Sequence, residues 1–155
     1  MFCALVFAGT WISIPMPIGN VNLGDGMLLV GAWLLGGPWA IVATALGATF
    51  VDLMGAYAIY APGTLVIKAL MATVAILMLK LLVKTKLPKV LALVLSATAA
   101  ELVMIVGYFA YEALFLGLGL GAAVSIPFNA MQGGAAIVLS VAVYELLSRA
   151  GVEIE

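Results

Sequence analysis

Long apolar runs, broken by short polar or glycine- and proline-rich stretches, make up almost the whole chain. A hydrocarbon core about 30 Å thick needs about 20 apolar residues per helix. On that measure six runs read as spans: residues 1–14, 26–35, 39–60, 62–82, 90–111 and 127–148. The first rises only about 21 Å at about 1.5 Å per residue. The second is shorter still and crosses only with help from its neighbours. The breaks are "PMPIGNVNLGD" at 15–25, "GGP" at 36–38, "GAYAIYAPG" at 55–63, "KTKLPK" at 84–89 and "LGLGLGAAVS" at 116–125. The first break gathers two prolines, two glycines, two asparagines and an aspartate, a mix more specific than a plain connector needs.

Composition turns these runs into a class. Hydrophobic residues make up 66% and charged residues 8% of the 155, and mean hydropathy is +1.32. A soluble domain has about 45–50% and about 25%. The expectation is an all-α integral membrane protein, a compact bundle of six transmembrane helices forming a single domain over residues 1–155. A signal peptide does not fit, because no basic region precedes the first run and no clean cleavage site follows it.

Charge sets the orientation. Lys80, Lys84, Lys86 and Lys89 cluster from the end of the fourth run to the start of the fifth and Arg149 follows the sixth, so five of the six basic residues fall on one side. The positive-inside rule places that side, and both termini, in the cytoplasm. The breaks at 15–25, 55–63 and 116–125 then lie outside. A net charge of −1 gives no sign of nucleic-acid binding. Cys3 is the one cysteine, reads as a small core residue and cannot form an internal disulfide. The absence of histidine removes histidine-based triads, haem ligation and most zinc sites. No Walker pattern appears. Ser96, Ser125 and Ser140 have no suitable base near them in sequence. The chain therefore reads as no enzyme, with no metal and no cofactor of its own.

Ionisable residues inside a membrane mark function by default, and helix rise converts their positions into depths. Lys68 lies about 9 Å below the outer face, Glu101 about 12 Å, Asp52 at a similar level, and Asn129 and Gln132 about 3 and 8 Å down. Separate helices thus bring polar groups to one outer-leaflet layer. Asn22, Asp25 and Glu112 are expected above it. Lys68 and Glu101 could form a purely structural pair, and Asp52 could simply bond a neighbour. A lysine, carboxylates and carboxamides converging together exceed what one bridge requires, and they read as a small-molecule site with residues 15–25 as its lid. Glu145, four residues before Arg149, reads as a helix-surface pair, and the lysine loop as a topological signal. The glycine-rich stretch has the backbone freedom of a loop that moves or approaches closely. Trp11, Tyr57, Tyr60, Tyr108 and Tyr111 read as an interfacial belt, one or two of them able to stack on a ligand ring. In the first run "ALVFA" sets Ala4 and Ala8 on one face, where small residues let another helix approach. Ala43, Gly47 and Val51 offer a second such stripe.

These features together resemble the substrate-binding S components of energy-coupling factor (ECF) transporters, the vitamin-uptake systems of prokaryotes. The similarity runs over essentially the whole chain: six short helices, "ALVFA" in the first, "NVNLGD" opening the second, "YAPGTLVIKALMA" at the fourth and "PFNAMQG" at the sixth. The second and third of these motifs are similar to a riboflavin-like branch that includes proteins assigned to pyridoxine or hydroxymethylpyrimidine uptake. The resemblance implies a non-enzymatic subunit of the prokaryotic plasma membrane that captures a water-soluble vitamin outside. The vitamin sits beneath loops following the first, third and fifth helices, which makes "PMPIGNVNLGD" the gating loop. The subunit then topples in the bilayer and releases the vitamin inside. Its partners would be a transmembrane coupling (T) protein, docked on Ala4 and Ala8, and two ATPase subunits that use the ATP. The chain departs from the family's usual pattern in lacking a basic tail before the first helix. One lysine, two carboxylates and two carboxamides suit a neutral, hydroxylated heteroaromatic, so a pyridoxine-like or pyrimidine ligand is expected over riboflavin. A standalone secondary carrier is the competing reading, against which stand the lack of an internal repeat and the off-centre polar layer. A structural membrane subunit without a ligand is a third.

Overall fold

The structure, a computed structural model, describes residues 1–18 and 20–151. Among them are six α-helices: α1 Phe2–Trp11, α2 Gly24–Leu35, α3 Pro38–Met54, α4 Ala61–Leu82, α5 Lys89–Leu114 and α6 Ile126–Arg149. Segments Ala58–Leu82, Lys89–Leu114 and Gly119–Arg149 are long and apolar enough to cross a membrane, whereas α1, α2 and α3 are shorter apolar helices. The fold is an all-α membrane bundle, as the runs predict.

Punctuation residues set the helix ends. Pro38, Pro62 and Pro127 each occupy the first turn of a helix, where a missing N–H costs nothing and the fixed φ suits the helix. Gly36 closes α2 with φ 58°, a left-handed conformation that glycine adopts without a Cβ penalty. The expected third span, 39–60, is shorter than read: α3 stops at Met54, and a separate 3-10 turn covers Ala58–Tyr60. Hydropathy continues through 55–60, but Gly55 takes an extended conformation and ends the helix.

The largest difference lies in residues 15–25. Part of this break is a two-stranded antiparallel hairpin, β1 Ser13–Pro15 with β2 Asn20–Asn22, pairing Ser13 with Asn22, Ile14 with Val21 and Pro15 with Asn20. Helix α1 therefore ends at Trp11 rather than running to residue 14.

Helix α4 packs along α3 on one side and α5 on the other, while α2 lies against α1 and α6. The centre is filled by Leu28, Leu29, Trp33, Met71, Leu93, Met104 and Tyr144. The Trp33 indole N–H donates to Ser96 Oγ at 3.0 Å, and Ser96 Oγ donates to the Ala75 carbonyl at 2.8 Å. Those two bonds join α2, α5 and α4 with buried polar groups satisfied. Small residues bring helices close: a Cβ on Gly47 would come within 2.5 Å of the Cys3 carbonyl oxygen and 3.0 Å of Val6 Cβ. The expected small-residue stripe thus faces α1 at Gly47. Ala4 and Ala8 point the other way and are exposed.

Candidate functional site

Close contact between α1 and α2 fixes the first functional side chain. A Cβ on Gly9 would lie 3.3 Å from Gly24 Cα, and one on Gly24 would overlap the Thr10 hydroxyl. The Leu23 N–H donates to the Gly9 carbonyl at 3.0 Å, and the Gly24 N–H donates to Asn22 Oδ1 at 2.9 Å. This glycine-on-glycine crossing starts α2 two residues earlier than its hydropathy suggests and carries Asp25 into the bundle, 1% exposed. The expectation that Asp25 sits above the polar layer is corrected accordingly: it lies within it.

There the Asp25 carboxylate joins two other helices. Lys68 Nζ of α4 donates to Oδ1 at 2.5 Å, and Gln132 Nε2 of α6 donates to Oδ2 at 2.5 Å. Gln132 Oε1 in turn accepts the backbone N–H of Asn22 at 2.8 Å. One continuous chain therefore runs from the β2 backbone through Gln132 and Asp25 to Lys68. The Lys68 ammonium also lies 5.3 Å from the centre of the Tyr108 ring, within cation–π range. The lysine's ion-pair partner is thus Asp25, and the Lys68–Glu101 pair open to the sequence does not form.

Glu101 is 3% exposed, and neither of its carboxylate oxygens has a hydrogen-bond partner among the described residues. Gly133 makes room for it: a Cβ there would stand 3.1 Å from Glu101 Oε2. Asp52, in the last turn of α3, leaves Oδ2 unpartnered in the same way. Buried polar groups are ordinarily paired; of the four buried side-chain atoms without a partner among the described residues, three are carboxylate oxygens of this layer and the fourth is the Tyr144 hydroxyl.

Above the layer a narrow cleft of about 40 Å³ opens beneath the hairpin. Asn22, Asp52, Asn129 and Gln132 line it, as do Ile18, Asn20, Tyr57, Tyr60, Thr64, Tyr108 and Glu112. Thr64 Oγ1 and the Tyr108 hydroxyl are 3.0 Å apart. Glu112 accepts from Ser125 Oγ at 2.5 Å and from the Tyr60 hydroxyl at 3.4 Å. Lys68, Asp25 and Glu101 do not line the cleft; they lie behind Gln132 and Tyr108. Of the residues that sequence reasoning had not placed in the site, Asn20 lies inside the quoted break. Thr64 carries no signal of its own, since a threonine in an apolar helix usually bonds its own backbone.

Over residues 1–149 the chain matches the family model described as "ECF-type riboflavin transporter, S component". The chain belongs to that family. It is a substrate-binding subunit of a transporter and a multi-pass membrane protein, and the family is not an enzyme class. No curated protein and no solved structure matches it significantly. In this S component the polar layer and cleft lie at the hairpin end of the bundle, where the breaks at 15–25, 55–63 and 116–125 also meet.

Proposed function

We propose that this S component captures a small, hydroxylated heteroaromatic vitamin or precursor, pyridoxine-like or pyrimidine-like, in the cleft beneath the hairpin. The observation that carries this is the hydrogen-bonded chain from Asn22 through Gln132 and Asp25 to Lys68. It ties the hairpin to Gln132, which lines the cleft, and to the buried charges behind it. A ring seated among Tyr57, Tyr60 and Tyr108 would have aromatic faces to stack on. The Asn22, Asn129 and Gln132 amides and the Asp52 carboxylate would offer donors and acceptors to its hydroxyls and ring nitrogen. Asp25, Lys68 and Glu101 form the floor that positions Gln132 and sets the charge beneath it. The cleft's volume, about 40 Å³, lies well below the range of small-molecule sites, about 300–1,000 Å³, so a ring would enter only as the hairpin moves away.

The membrane would be the plasma membrane of a prokaryote, with both termini in the cytoplasm and the hairpin outside. Uptake would be driven by ATP hydrolysed on a separate coupling module, a T protein and two ATPases, with Ala4 and Ala8 as the docking face and no cofactor in this chain.

A second reading, riboflavin as ligand, is favoured by the description of the matching family. Calorimetric titration of the purified protein with pyridoxine, hydroxymethylpyrimidine and riboflavin decides between them. Tight binding of one of the first two and none of riboflavin is expected. Riboflavin binding alone would overturn the ligand assignment, and binding of none would overturn the site.

A further inference from the structure

At the opposite end of the bundle from the hairpin, a cavity of about 590 Å³ opens between α2, α4 and the start of α5. Its floor is apolar, built from Trp33, Ile76 and Leu79, each less than a tenth exposed. Its rim carries three cations, Lys80, Lys84 and Lys89. Among the described residues none of the three ammonium groups has a carboxylate within salt-bridge distance. Lys80 Nζ donates to the Gly36 carbonyl at 2.8 Å. Lys89 Nζ donates to Ser148 Oγ at 3.3 Å and lies 5.0 Å from the centre of the Tyr144 ring. Two of the lysines are thus held in place by uncharged partners, and the Lys84 ammonium makes no hydrogen bond among the described residues.

We propose that this cavity binds an acidic phospholipid, its phosphate among the three lysines and an acyl chain along the Trp33 floor. Three features carry the assignment. A positional count along the sequence explains the lysines as orientation signals, but orientation requires only that they lie on one side; it does not require three of them around a hollow. A soluble anion would be served by the lysines alone, whereas here the cations surround an apolar interior that suits hydrocarbon. The cavity's own lining includes the exposed apolar residues Val83 and Leu87, so a lipid would reach it sideways from the bilayer. Basic pockets between transmembrane helices at this level are where acidic headgroups bind.

The test uses Trp33 as reporter. Trp11 and Trp39 are 53% and 82% exposed and would sense bulk lipid, so the full chain is prepared with both replaced by phenylalanine. The protein is reconstituted into phosphatidylcholine vesicles containing brominated phosphatidylglycerol or, separately, brominated phosphatidylcholine at equal mole fraction. Brominated chains quench tryptophan only at short range. Stronger quenching by the phosphatidylglycerol is expected. Lys84→Gln, which breaks no hydrogen bond in the structure, should reduce the preference by about fivefold. Lys84→Gln/Lys89→Gln should remove most of it, while both variants keep wild-type circular dichroism and monodisperse elution. Equal quenching by the two lipids would overturn the proposal. So would a preference unchanged in Lys84→Gln, or one abolished by soluble glycerol phosphate, which would make the rim a site for free anions.

Discussion

Lys68 and Asp25 sit 3% and 1% exposed at 2.5 Å from each other, and that burial decides what substitution at either should do. Removing one partner leaves an unpaired charge in a dry interior, which costs about 3–5 kcal/mol. Lys68→Ala should therefore lower stability by about 3 kcal/mol in a denaturant titration. Lys68→Met with Asp25→Leu, which removes both charges but strands the Gln132 amide donor, should cost about 1–3 kcal/mol. Both proteins should lose ligand affinity by at least about tenfold, about 1.4 kcal/mol. A stable double variant that binds as wild type would make the pair purely structural. Glu101 offers a cleaner separation, because its oxygens have no partner among the described residues. Glu101→Gln keeps the shape, so the melting temperature should hold while affinity falls by about tenfold or more. Unchanged affinity would exclude Glu101 from the site.

At the scale of elements, the hairpin and the α1–α2 crossing govern the site together. A latch made of one bond, from the Asn22 N–H to Gln132 Oε1, predicts that a spin label at Val21 is more mobile in Gln132→Ala than in wild type. It also predicts that ligand immobilises the label only when Gln132 is present. Equal mobility in all four states would count against a lid. Gly24→Ala should weaken binding too, because a methyl there meets Thr10 and must displace the first turn of α2 with Asp25 on it. The long helices were legible in the sequence because continuous hydropathy and first-turn prolines mark them without reference to tertiary context. The strands were not: three residues each, with Pro15 in one, are too short for an alternating pattern to emerge. Nor could the sequence choose the partner of Lys68. Rise per residue gives a depth, but it says nothing about which way a side chain faces around the helix. Asp25 was misplaced for a related reason, since its position depends on Gly9 and Gly24 touching across two helices.

The whole molecule presents two unlike ends, a polar cleft under a hairpin and a lysine-rimmed apolar cavity, with α1 along one side. On that helix Val6, Gly9 and Thr10 face inward, leaving Ala4 and Ala8 exposed. Ala8 lies about one turn from the end nearest the hairpin. Ala4→Leu with Ala8→Leu should still abolish uptake by cells supplying the coupling module while leaving affinity within about twofold, because leucines would hold a partner helix away without entering the bundle. Loss of affinity along with uptake would mean that the alanines pack internally. Uptake by the unaltered chain with no ATPase present would mark an autonomous carrier.

The central claim, that the cleft under the hairpin holds a small heteroaromatic vitamin, is tested most directly by what the protein carries out of the cell. Protein purified from cells grown in rich medium is denatured, and the released small molecules are identified by mass spectrometry. A single pyridoxine-like or pyrimidine-like compound, released in near-stoichiometric amount from wild type and absent from Gln132→Ala, is the predicted result. Release of riboflavin, or of the same compound in equal amount from the Gln132→Ala variant, would contradict it.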